Sequence, residues 1–148
     1  MSYVKKIVTD VKYNVCIDDF VDDEVIGKFY HCFSDEPEVF KTSLGMINSL
    51  DKVMDMIDYP QKTTKSRIFK AIGLNEANKV KELRKIMSET DVMKNRGEKA
   101  TFIVEIKYRE NATWQGTVKW VEENKEQNFR SALELIKLID SASEFLGE

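Results

Sequence analysis

At 148 residues and 17.2 kDa, with 42% hydrophobic, 33% charged and 10% aromatic residues, the chain can bury one sizeable core or two small ones sharing an interface, which excludes a large multidomain enzyme. No apolar run approaches the ~20 residues of a membrane-spanning helix. The N-terminal MSYVKKIVTD breaks into charge before a signal core forms, so a cytoplasmic protein with no membrane partner is expected. Cys16 and Cys32 are too few for a disulfide framework, and no further cysteines accompany them for a zinc site. The net charge of -3 is unevenly spread: residues 1–61 hold 6 Lys/Arg against 12 Asp/Glu, residues 62–99 hold 11 against 5, and residues 100–148 hold 6 against 9. A basic middle either contacts a polyanion or neutralises the acidic parts of its own chain.

Tyr13, Val15 and Ile17 form the inward set of a first strand, and GKFYHCF (27–33) reads as a second. Pro37 marks the turn that follows. Thr42 is placed to cap a helix whose Leu44, Ile47, Leu50, Met54 and Ile57 face the core. The helix should end before Tyr59-Pro60, because a residue preceding proline is pushed out of the helical region. In the connector, Ala77, Val80, Leu83 and Met87 recur at helical spacing between Asn75 and Glu89, with a narrow apolar face. FIVEIKY (102–108) then sets Phe102, Val104, Ile106 and Tyr108 on one side and Glu105 and Lys107 on the other. After a turn at Glu110-Asn111-Ala112, WQGTVKW (114–120) sets Trp114, Val118 and Trp120 against Gln115, Thr117 and Lys119, which completes a hairpin. Glu122 to Gln127 leads into a short third strand ending at Phe129. Ser131 followed by Glu134 is a capping box, beyond which Leu133, Leu135, Ile136, Ile139, Ala142 and Leu146 form a broad apolar stripe.

These two halves match each other without gaps at an offset of 89 residues. Val15 pairs with Val104, Ile17 with Ile106, Gly27 with Gly116, Phe40 with Phe129, Leu44 with Leu133, Ile47 with Ile136 and Asp51 with Asp140, seven identities over the 40 positions from 13 to 52. Gly45 stands where the second copy has Glu134, so the first helix is expected to start less firmly. A single three-stranded sheet with one helix is a small core to stand alone. The expected fold is therefore α+β, with two βββα repeats forming one antiparallel sheet and both helices on one face. Residues 1–60 make the first repeat, 61–99 a basic, partly helical connector, and 100–148 the second repeat, together one compact unit.

The string RENATWQG, followed by VKW and then NFRSALELIKLID, resembles an uncharacterised family of small proteins from Gram-positive anaerobic bacteria, with its W-Q-G hairpin and F-R-S-x-L-E-L-I helix start. The resemblance covers residues 100–142 well and FYHCFSDEPEVF through YPQKTT less well. It implies no activity.

Gln115 and Arg109 fall on the predicted exposed sheet face, where packing does not explain them, and Lys119 joins them there as a binding candidate. Arg130 precedes a helix N-terminus, where it either helps hold a phosphate or carboxylate or pairs with Glu126 or Glu134. Lys62, Lys65 and Arg67, beside Thr63 and Thr64, have the chemistry of phosphate contact and equally that of a solvated loop. No Gly-rich phosphate loop accompanies them. Trp114 and Trp120 read as core or as a stacking pair. His31 and Cys32 are adjacent, and adjacent strand residues point apart; Cys16 and Cys32 share a predicted face, yet two thiols make a weak metal site. No acid, base and nucleophile converge, so no catalytic residue, cofactor or metal is assigned. The resulting expectation is a non-enzymatic binding or regulatory protein presenting its duplicated scaffold to a macromolecular partner, a protein. The alternative is a nucleic-acid-binding module using the basic connector and the sheet face from Arg109 to Lys119.

Overall fold

The computed structural model describes residues 11–60, 85–110 and 113–146. Within them lie strands β1 (Lys12–Val21), β2 (Glu24–Tyr30), β3 (Glu38–Phe40), β4 (Ala100–Glu110), β5 (Thr113–Trp120) and β6 (Lys125–Phe129), and helices α1 (Ser43–Ile57), α2 (Glu89–Met93) and α3 (Ala132–Leu146). The strands form one open antiparallel sheet in the order β3-β2-β1-β4-β5-β6. Period-two alternation decides which side chains face the helices. Tyr13, Val15 and Ile17 of β1 stand opposite Val104, Phe102 and Ala100 of β4, and all six are buried. α1 packs over β2 and β3, α3 over β5 and β6, and both helices join those residues in a single apolar core.

The ladders repeat along the chain. Ile17 faces Gly27 as Ile106 faces Gly116, Gly27 faces Phe40 as Gly116 faces Phe129, and each hairpin carries a bulge at the same place, between Ile17 and Asp19 and between Ile106 and Tyr108. α1 and α3 have equal length and occupy equivalent positions after their strands. Their caps differ in detail. The Ser131 hydroxyl accepts the Glu134 N–H at 3.0 Å, and the Glu134 carboxylate accepts the Arg130 N–H at 2.7 Å. In α1 the Thr42 hydroxyl accepts the Gly45 N–H at 2.9 Å, and the carboxylate missing at Gly45 is replaced by Glu24 of β2, which accepts the Ser43 N–H at 2.7 Å. α1 ends as expected before Tyr59-Pro60, with Asp58 left-handed at its C-cap.

Several expectations need correction. The second strand is Glu24–Tyr30 rather than 27–33, so His31, Cys32 and Phe33 lie beyond it in a turn. Tyr108 is 55% exposed and Arg109 only 2%, the reverse of the expected facing, because the bulge at Lys107 shifts the alternation by one residue. Leu44, Leu133 and Leu146 are exposed; the buried stripes are Met46, Leu50, Val53, Met54 and Ile57 on α1 and Leu135, Ile139 and Ala142 on α3. Each helix is apolar over a wider arc than the sheet covers, and the tertiary contacts choose which edge is buried. The expected helix from Asn75 to Glu89 lies mostly outside the described residues; residues 85–88 are not helical, and Ser88 caps the short α2 instead.

The described end of the connector is stitched to the sheet face opposite α1 and α3. The Asn14 amide donates to the carbonyls of Val92 at 2.7 Å and Asn95 at 2.9 Å, the Lys99 N–H donates to the Ile17 carbonyl at 2.9 Å, and Val92 is buried. These contacts cover Asn14, Cys16 and Thr101.

Gly27 and Gly116 are required by close approach: a Cβ on either would meet the carbonyl oxygen of Cys16 or Glu105 in the neighbouring strand. Gly27→Ala and Gly116→Ala should each lower stability by about 2–3 kcal/mol in urea unfolding, with matching losses for the two.

Candidate functional site

The candidate binding residues do not converge. Gln115 and Lys119 are exposed on the outer face of β5, with Thr117 between them, and Tyr108 pairs with Gln115 there. On this face Lys107 and Lys119 are balanced by Glu105 and Glu126, and the register sets Lys119 against Glu126. Lys62, Lys65 and Arg67 lie outside the described residues. Arg130 is exposed before α3, but the Glu134 carboxylate already occupies that end of the helix, which disfavours a second anion beside it.

Arg109 points the other way, into the helix layer. Its Nε donates to the Pro60 carbonyl at 2.6 Å, Nη1 donates to Asp51 at 3.1 Å and Asp55 at 2.8 Å, and Nη2 donates to the Met54 carbonyl at 3.4 Å. Asp51 and Asp55 are one turn apart on α1, so their carboxylates reach a single guanidinium. The buried cation ties β4 to α1 and to the exit of that helix. It serves structure, not an exposed binding face.

The aromatic pairs also serve the core. Trp114 is 5% exposed; Trp120 is half-buried between Phe102 at 5.8 Å and Phe145 at 5.4 Å between ring centroids. The equivalent position in the first half is His31, packed by Tyr13 at 6.2 Å and Phe29 at 6.1 Å. His31 Nδ1 accepts the Phe33 N–H at 3.2 Å, and burial lowers its pKa. Its Nε2 and the Tyr13 hydroxyl have no hydrogen-bond partner among the described residues. Both cysteines are free, and the register sets Cys16 against Lys28 rather than against Cys32. Burial pushes the Cys16 thiol up to about 11 and raises that of Cys32, so neither is poised as a thiolate. Among the described residues no three His, Cys, Asp or Glu side chains converge as a metal set, and the depression lined by Glu89, Thr90, Met93, Lys94 and Arg96 is open to solvent.

Beside its buried stripe each helix carries a second, less buried side, on which Leu44 and Leu133, expected in the core, lie in solvent while Ile47 and Ile136 pack against the core. Leu44, Ile47 and Asp51 follow one another at i, i+3 and i+7 on α1, as Leu133, Ile136 and Asp140 do on α3. Leu44 and Leu133 are 65% and 59% exposed, while Ile47, Ile136, Asp51 and Asp140 are half-buried. All six belong to the identities between the halves. The signal was present in the sequence: these identities lie beside, not on, the stripe that Met46, Leu50 and Val53 share with Leu135, Ile139 and Ala142.

These sides face each other across the middle of the sheet. Asp51 and Asp55 reach Arg109 in the second half, and Asp140 lies close enough to Asp23 and Glu24 in the first to feel their charge. Glu24 also holds the first N–H of α1, so the start of α1 and the end of α3 share one end of the molecule and the helices run in opposite directions.

No protein-family model matches the chain, and neither a curated protein nor a solved structure is found similar to it. No helix among the described residues is long and apolar enough to cross a membrane.

Arg109→Met should cost about 3 kcal/mol, since carbonyls of Pro60 and Met54 lose their donor. Asp51→Asn with Asp55→Asn should cost only about 1 kcal/mol, because both carboxylates are more than a third exposed. Urea unfolding measures both. For His31, the folded pKa lies below the ordinary 6.5, so the unfolded chain takes up the proton first. Its contribution is complete above pH 6.5 and is lost as pH falls from 6.5 toward the folded pKa; His31→Phe should flatten the pH dependence of the unfolding midpoint in that window.

Proposed function

We propose that this chain is a non-enzymatic binding or regulatory protein in which two βββα repeats, related by internal duplication, present their helix layer to a protein partner. The equivalence of ladders, bulges, glycines and helices between the two halves supports the duplication. One observation carries the binding reading: Leu44 and Leu133, identical and equivalent, stand 65% and 59% exposed on the helix layer. Core packing does not account for a leucine at either place. Apolar side chains on a surface otherwise mixed in charge suit a protein interface.

The remaining inventory agrees with this. Burial raises the pKa of both thiols, and His31 is enclosed with one ring nitrogen occupied, which leaves none of these three side chains poised for nucleophilic or acid-base chemistry. With Arg109 turned inward, the outer sheet face has balanced charge, which weakens the nucleic-acid alternative. Gln115 and Lys119 remain candidates for a secondary contact there.

Leu44→Lys combined with Leu133→Lys should leave the free energy of unfolding within about 0.5 kcal/mol of the parent. The same variant should abolish capture of a defined protein that survives nuclease treatment. Oligonucleotide binding with a steep salt dependence, unaffected by the double variant, would instead favour a nucleic-acid module.

A further inference from the structure

The two ends of the helix layer share a framework but carry different charge. At one end Arg109 sits between Asp51 and Asp55. At the other, the β1 residue in the place of Arg109 is Phe20, which faces Val25 as Arg109 faces Trp114. The α3 residues in the places of Asp51 and Asp55 are Asp140 and Glu144. Two helix carboxylates are thus retained where the internal cation is replaced by a half-buried phenylalanine. The turn between β1 and β2 adds Asp23 and Glu24 to the same end, and desolvation, followed by Asp23, Glu144 and Glu24, raises the Asp140 pKa.

Among the described residues no ion pair joins Asp23, Asp140 or Glu144. The carboxylates do not converge as a metal set. Glu24 holds the Ser43 N–H, and Ser43, 9% exposed, has a hydroxyl without a partner among the described residues. Leu44 stands exposed one residue on.

We infer that this end of the helix layer, between the start of α1 and the end of α3, docks a basic protein segment that supplies an arginine to Asp140 and Glu144, as Arg109 is supplied internally to Asp51 and Asp55. The inference deepens the protein-binding reading and rests on it. Its independent support is the opposite end, where carboxylates one turn apart in the equivalent positions already hold a guanidinium. A planar fork suits two such carboxylates better than a compact ammonium does. Phe20 packs half-buried against the core and brings no competing cation, and exposed Leu44 offers an apolar neighbour for the residues flanking the arginine. A polyanion would meet repulsion at the same place.

Fluorescence anisotropy with labelled hexa-arginine and hexa-lysine peptides at near-physiological salt tests this on the full chain. Hexa-arginine should bind the more tightly, with amide shifts in nuclear magnetic resonance at Asp23, Glu24, Leu44, Asp140 and Glu144. Asp140→Asn with Glu144→Gln should weaken that binding about tenfold without lowering the unfolding midpoint. Glu36→Gln with Glu126→Gln, an equal change of net charge elsewhere, should leave it unchanged. Equal weakening by both variants, equal affinity for the two peptides, or no binding would overturn the inference. If the leucine variant loses its protein partner while Asp140→Asn with Glu144→Gln does not alter peptide binding, the protein-binding reading stands and this site falls.

Discussion

The antiparallel ladder between β1 and β4 is the joint through which the two halves of the chain share a core. Tyr13 against Val104, Val15 against Phe102 and Ile17 against Ala100 place six buried side chains along the centre of the sheet, in one core with the inner sides of α1 and α3. Three strands and one helix would leave these residues at an open edge, where neither half buries enough apolar surface to be secure. Pairing removes that edge from both halves at once. It also makes Asn14, Cys16 and Thr101 central on the opposite face, where the connector from Val92 to Lys99 satisfies the Asn14 amide and covers them.

A second constraint follows from the bulges. An extra residue at Asp18 and at Lys107 reverses the alternation beyond it, so each strand changes the side chains it sends toward the helices. In β1 the extra residue is used: Asp18 accepts from Lys28 at 3.0 Å and from the Glu98 N–H at 3.1 Å, which fastens the connector. In β4 the same device turns Tyr108 to solvent and buries Arg109. A buried guanidinium is tolerated because two carbonyls and two carboxylates meet its donors. The first half, with Phe20 at that place, supplies no cation, and among the described residues Asp140 and Glu144 of α3 have no ion-pair partner. The difference between an internally neutralised end and an acidic end of one framework therefore comes from a single position in each hairpin.

Much of the architecture was legible in the residues. The alternation of Tyr13, Val15 and Ile17 and of Phe102, Val104 and Ile106 defined both central strands and their inward sides. The two capping serine and threonine residues located the helix starts, and Tyr59-Pro60 located the end of α1. Gly27 and Gly116 match in the sequence, but the reason for them, a carbonyl of the neighbouring strand where a side chain cannot fit, is visible only once the strands are paired. Local chemistry sufficed for the strands and helix ends because period and capping are properties of short stretches.

The candidate site was not legible in the same way. Alternation alone puts Arg109 in solvent, because an alternating pattern carries no mark of a bulge, and the bulge exists only where two strands with unequal demands are paired. Leu44 and Leu133 were read as core because each helix has more apolar residues than one sheet face can cover. Glu24 on Ser43 and Arg109 on Asp51 and Asp55 then set the rotation of α1, through contacts 19, 58 and 54 residues apart. The sequence by itself determined the α+β class, the inward sides of the central strands before each bulge and the helix starts, since those depend on neighbours along the chain. Only the tertiary structure decided which apolar edge of each helix stays in solvent and which arginine is buried, since those depend on which distant groups compete for the same side chain.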